Sequence, residues 1–167
     1  MGRVRQFCRA VTARVTADDR AFVARMLPEK ALPLFYAMHR ADQRHALNVA
    51  HTAAQLAAAE THPVDVPFLL RCALLHDVGR QRGDLDILGK VACVLLVHFF
   101  PRRARVWAER GQSQWLYIYF HHPAIGAARL RRIGLAREAA LIEQHHEAEK
   151  ADDAIELRLL RAADERN

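Results

Sequence analysis

The pair His76-Asp77, in the run Leu74-Leu-His-Asp-Val-Gly-Arg80, sets an imidazole and a carboxylate side by side behind a stretch of apolar residues. Such groups are costly to bury without a partner, and a divalent cation satisfies both at once. Further donors stand at wide intervals on either side: His45 before the pair, then His121-His122, His145-His146 and Asp164 after it. Mixed imidazole and carboxylate donors suit Mn, Fe, Co, Ni or Zn better than Ca or Mg. Ions of that kind polarise phosphoryl oxygens and acidify bound water, so this donor set could perform metal-assisted hydrolysis. Arg80, three residues beyond Asp77 and on nearly the same helical face, could grip a phosphate through two parallel hydrogen bonds.

These donors must be brought together by the elements that carry them. Hydrophobic periodicity of about 3.6 residues predicts a helix over Val11–Leu27 with Thr16 or Asp18 near its start, then one containing Leu32, Leu34, Phe35 and Met38. A long alanine-rich helix over Ala41–Ala59 sets His45, Val49, Thr52 and Leu56 on one face. Asp65 is expected to cap a helix over Val66–Val78, ended by Gly79. Helices are also expected over Leu85–Phe99, Arg102–Arg110 and Trp115–Phe120, followed by a new one with Pro123 in its first turn. Leu135–His146 and Asp152–Ala163 complete the series. No stretch alternates at period two, so the fold class is all-α: a single-domain helical bundle, each candidate ligand on or beside a different helix.

Composition agrees. The 167 residues include only 7 Gly and 6 Pro, and 51% are hydrophobic, which excludes a largely disordered chain. A net charge of +6 favours anionic partners such as phosphorylated small molecules or nucleotides, while an aromatic share of 7% makes nucleic acid the less favoured partner. Cys8, Cys72 and Cys93 are far apart and form no paired motif, which fits a reducing, cytoplasmic setting. Neither a secretory signal nor a membrane span is expected. The apolar run Val91–Phe100 is too short to cross a bilayer and reads as a buried helix, although Arg102, Arg103 and Arg105 behind it could touch a membrane surface.

The order His45, His76-Asp77, Asp164 resembles the HD superfamily of metal-dependent phosphohydrolases. The local contexts Gln43-Arg-His-Ala-Leu-Asn-Val-Ala-His51 and Leu159-Leu-Arg-Ala-Ala-Asp-Glu-Arg-Asn167 match as well. His122-Pro-Ala-Ile-Gly-Ala127 and Ile142-Glu-Gln-His-His-Glu147 are similar to the extra histidine segments of the subfamilies that bind two metals, the HD-GYP group among them. The resemblance implies two divalent transition metals, one held by His45, His76, Asp77 and Asp164, the other by Asp77 as a bridge with His122, His145 and His146. Asp77 and Arg80 are the expected catalytic residues, with Arg80 and His121, the neighbour of His122, as the expected substrate contacts. Residues 41–167 would form the metal-binding domain, and 1–40 a helical extension packed on it. The substrate would be a phosphomonoester or phosphodiester, a nucleotide among the candidates.

Two departures bear on that expectation. No Gly-Tyr-Pro follows His-His-Glu, which argues against cyclic-di-GMP, and position 41 is Ala where some relatives carry a glutamate for a third metal. Two alternatives stand beside the hydrolase: a di-iron oxygenase using the same donors, and a signalling module that binds metal or nucleotide without turnover.

Overall fold

The computed structural model describes residues 14–83, 93 and 95–167. Cys8, the first residues of the helix expected from Val11, and most of the helix expected over Leu85–Phe99 lie outside the described residues. The described chain is all-α, and no strand occurs in it. In order come α1 (Ala17–Met26), a 3-10 turn (Glu29–Ala31), α2 (Leu32–Ala37), α3 (Arg40–Ala59), α4 (Val66–Leu75), α5 (Pro101–Glu109), α6 (Gln114–Arg132), α7 (Ala136–Glu143) and α8 (Ile155–Glu165). Residues 95–99 are also helical. None of the described helices is long and apolar enough to cross a membrane.

Local signals start these helices. Thr16 and Asp19 form a reciprocal capping box on α1, and Arg44 from α3 pairs with Asp19. The Asp65 side chain accepts from Phe68 N at 3.1 Å and caps α4. Gln43 is buried because its amide donates to the carbonyls of Tyr36 and Met38, tying the end of α2 to the start of α3.

Helix α3 packs on α4 and α8, α7 packs on α4 and α6, and one apolar core runs through them. Its largest members include Phe35, Met38, Leu47, Leu69, Leu74, Leu130, Ile142 and Leu160, all sealed from solvent. Val23 and Leu27 of the α1 region belong to the same core. A second, smaller core gathers Cys93, Ala104, Ala108, Leu116 and Ile118 between α5 and the first half of α6.

The main correction to the sequence reading concerns Pro123. It does not open a helix; it lies inside α6, which runs unbroken from Gln114 to Arg132. An interior proline leaves the carbonyl four residues back without its usual donor, here that of Tyr119. His122 supplies the replacement, its Nδ1 lying 2.9 Å from Tyr119 O. Two ends also shift: α4 stops at Leu75 and α7 at Glu143, so both His-containing pairs sit in turns just beyond a helix. α8 begins at Ile155 rather than near Asp152, because Asp153 bonds Lys150 N and Arg161 instead of entering the helix.

Candidate metal centre

Five separated stretches bring the expected donors together. His45 comes from α3, His76 and Asp77 from the turn after α4, His122 from α6, His145 and His146 from the turn after α7, and Asp164 from α8. Three overlapping groups have ligand atoms within 4.8 Å of one another: His45, His76 and Asp164; His76, Asp77 and His145; and His122, His145 and His146. His76, Asp77, His122 and His145 are buried, whereas His146 reaches solvent.

Asp77 stands between the two ends of this arrangement. Its Oδ2 lies 3.6 Å from His76 Nε2, and its Oδ1 lies 3.2 Å from His122 Nε2. At the far end Asp164 Oδ1 is 2.8 Å from His45 Nε2 and 3.7 Å from His76 Nε2. Arg80 lies on the other side, donating to Asp77 Oδ2 at 3.0 Å. One Arg80 nitrogen sits 3.0 Å from His122 Nε2 and 3.3 Å from its Nδ1.

A common device aims the three buried imidazoles. Each donates Nδ1–H to the carbonyl three residues earlier: His76 to Ala73 at 2.9 Å, His122 to Tyr119 at 2.9 Å and His145 to Ile142 at 2.5 Å. A carbonyl can only accept, so the proton is on Nδ1 and Nε2 presents a lone pair inward. That leaves His122 Nε2 facing Asp77 Oδ1 with no proton between them. His76 Nε2, His145 Nε2 and Asp77 Oδ1 are all buried without a hydrogen-bond partner. Buried acceptors in this arrangement are unfavourable until a cation is placed among them, and nitrogen and carboxylate donors fit a divalent transition ion.

The electrostatics lean the same way. Burial works against the charge of Asp77, yet Arg80 and His76 hold its carboxyl well below the usual carboxylate range. Asp164 is likewise lowered against burial, by its hydrogen bond to His45 and by His76. Burial pushes His145 far below an ordinary imidazole, with His76 and His146 adding to the effect. His122 is lowered by burial and by Arg80, and His146 falls to about 4 through burial and the neighbouring His122. Burial works against the charge of His45 too, but its hydrogen bond to Asp164 and the nearby Asp77 raise its pKa. The neutral form is thus favoured at His122, His145 and His146, beside ionised Asp77 and Asp164, as metal binding requires.

His121 is not in these groups; its ring packs at a tilt of 34° against Tyr117, ring centres 4.4 Å apart. Glu147 pairs with Lys150 on the exposed side. One residue, Arg161, escaped the sequence reading, whereas Gly79 makes the close backbone approach that its missing side chain allows. Gly79 lies so close to the His122 backbone that no side chain fits between the turn and α6. Arg161 does not pair with Asp164; it binds Asp153 and donates to Gln144 O at 2.9 Å, bracing the turn that holds His145. Nothing in the spacing of Arg161 announces that role.

No curated protein and no solved structure matches the chain. Against known families, residues 43–166 match the HD domain, a span that takes in each of the converging donors described above. The chain belongs to the HD domain family.

Proposed function

We propose that this protein is a metal-dependent phosphohydrolase with a binuclear centre, akin to the HD-GYP arrangement but without its Gly-Tyr-Pro segment. The observation that carries the reading is the set of buried acceptors, His76 Nε2, His145 Nε2 and Asp77 Oδ1, left without protein partners while the two oxygens of Asp77 face different histidines. His45, His76, Asp77 and Asp164 would hold one ion, and Asp77, His122, His145 and His146 the other. Ions bound there would supply Lewis acidity and a water acidified enough to act as nucleophile near neutral pH.

The chain's own contribution is orientation and charge. The Nδ1–H bonds fix three rings so that no rotation is needed when a ligand arrives. Arg80 spends one N–H on Asp77 and directs another toward His122, which steadies a guanidinium that still has donors for a phosphate. That pre-set cation favours a phosphate ester over the oxygenase alternative, whose substrate need not be anionic. His121, next to a ligand and packed against Tyr117, is the proposed second substrate contact.

The test is elemental analysis of protein purified without added metal, followed by a panel of phosphate esters with Mn, Fe, Co and Ni. Asp77→Asn should lower metal content and turnover by orders of magnitude. Full metal and full activity in that variant would refute the bridge, and absence of bound transition metal from the folded wild type would refute the centre.

A further inference from the structure

Every large hydrophobic side chain exposed among the described residues lies between Leu95 and Tyr117. Phe99 and Phe100 are 65% and 52% exposed, and Trp107 and Trp115, the only tryptophans of the chain, each 43%. The same stretch carries four arginines, Arg102, Arg103, Arg105 and Arg110, against one acid, Glu109, which Arg105 already pairs at 3.5 Å. We infer that this face docks on an anionic phospholipid bilayer. The inference stands apart from the hydrolase reading.

The placement within α5 gathers several of these residues on one surface. Ala104 and Ala108, one turn apart, are buried in the small second core. At about 100° per residue, Arg103, Val106, Trp107 and Arg110 fall in a single arc turned away from those alanines. Phe100, the residue before α5, joins that arc, since the Arg103 guanidinium lies 5.9 Å from its ring centre. Aromatic and aliphatic side chains are thus interleaved with arginines on one exposed face.

A bilayer surface satisfies both components. Phe and Val side chains enter the acyl boundary, tryptophan rests at headgroup depth, and long arginine stems reach back to lipid phosphates. Anionic headgroups add an attraction for each basic residue near the surface. A second copy of the chain fits less well, because a two-fold contact brings two faces of the same net positive charge together. Stacked nucleobases would use the aromatic rings but leave Val106 and Leu95 without apolar cover.

The experiment is co-sedimentation of the full chain with vesicles of phosphatidylcholine alone or mixed with phosphatidylglycerol, at low and high salt, with tryptophan emission recorded. Expected are salt-sensitive binding to the anionic vesicles at least about tenfold above the neutral ones, and a blue shift on binding. Phe99→Ser with Phe100→Ser, and separately Arg103→Glu with Arg110→Glu, should each weaken it by about tenfold while helical content is unchanged. The inference is overturned if the folded wild type stays in the supernatant with anionic vesicles, or if both variants bind as the wild type does. It is equally overturned if the serine variant abolishes a concentration-dependent dimer, or a single-stranded oligonucleotide complex, in a protein that ignores vesicles.

Discussion

Replacing Gly79 by alanine tests the packing that sets the centre. A Cβ there would lie 2.0 Å from the carbonyl oxygen of His122, 2.7 Å from its carbonyl carbon and 2.8 Å from its Cα. Comfortable contact between such atoms needs roughly 3.5 Å, so one backbone must retreat by more than about 1 Å. Neither can give cheaply, since the atoms met belong to the middle of α6 and not to a flexible side chain. Overpacking of this severity costs about 3 kcal/mol, a fall of roughly 6–12 °C in melting temperature for a chain of this size. Retreat of α6 also widens the 3.2 Å approach of His122 to Asp77, so the variant should lose the ion proposed to bind those two residues. Urea unfolding in the presence of chelator gives the stability term, and metal stoichiometry gives the second. Gly111→Ala is the control: its φ of +67° penalises a side chain, yet nothing lies within 4 Å, so the cost should be near 1–2 kcal/mol and metal content unchanged. A Gly79→Ala protein no less stable than Gly111→Ala, with full metal, would refute the close-approach argument.

Pro123→Ala restores an N–H that competes for Tyr119 O, so thermal stability should hold or rise while affinity at the His122 end falls by 10-fold or more, measurable by calorimetric metal titration. Arg161→Met removes the brace on Gln144 O and should weaken metal binding through His145 by about tenfold, with only part of that loss recovered by Arg161→Lys. The α1 cap gives a pH signature. Burial works against the charge of Asp19, but Arg44 and Thr16 outweigh it and bring the carboxyl down to about 2. The native pKa is therefore below the unfolded one, and the stabilisation is complete above about pH 4 and lost as pH falls toward 2. Thr16→Ala should cost about 1 kcal/mol in urea unfolding at neutral pH, and Asp19→Asn should flatten the acid limb of the stability profile.

Much of the centre could be read from residue type because metal donors are few and chemically distinct. His45, His76-Asp77, His122, His145-His146 and Asp164 all converge, although they span most of the chain. The all-α class was legible for a similar reason: periodicity near 3.6 is a property of each segment taken alone. What could not be read was anything decided between segments. Leu95, Phe99 and Phe100, which a one-dimensional reading assigns to a buried helix, are exposed, because apolar character says nothing about which side finds a neighbour. Arg161 offered two acidic partners, Asp153 and Asp164, and only the path of the turn before α8 selects the first.

Pro123 shows the limit most clearly, and also what lies behind it. Read locally, proline after histidine is a helix start; in the fold it is the interruption that hands a carbonyl to His122. The other two buried imidazoles obtain theirs the same way, by position at an interruption. α4 stops at Leu75 and releases the Ala73 carbonyl to His76, and α7 stops at Glu143 and leaves Ile142 O within reach of the His145 ring, beside a 3.4 Å bond from His145 N. With the backbone hydrogen-bond ladder intact each of these oxygens would accept from the residue four positions on, and the ring would have no fixed partner. The ladder is interrupted at each histidine, by a helix end at His76 and His145 and by a proline within α6 at His122. Each interruption therefore does two things at once: it leaves an acceptor that locks Nδ1, and it turns Nε2 toward the interior. The interruptions near the histidines are thus part of the site, and substitutions that heal them should cost metal affinity more than stability.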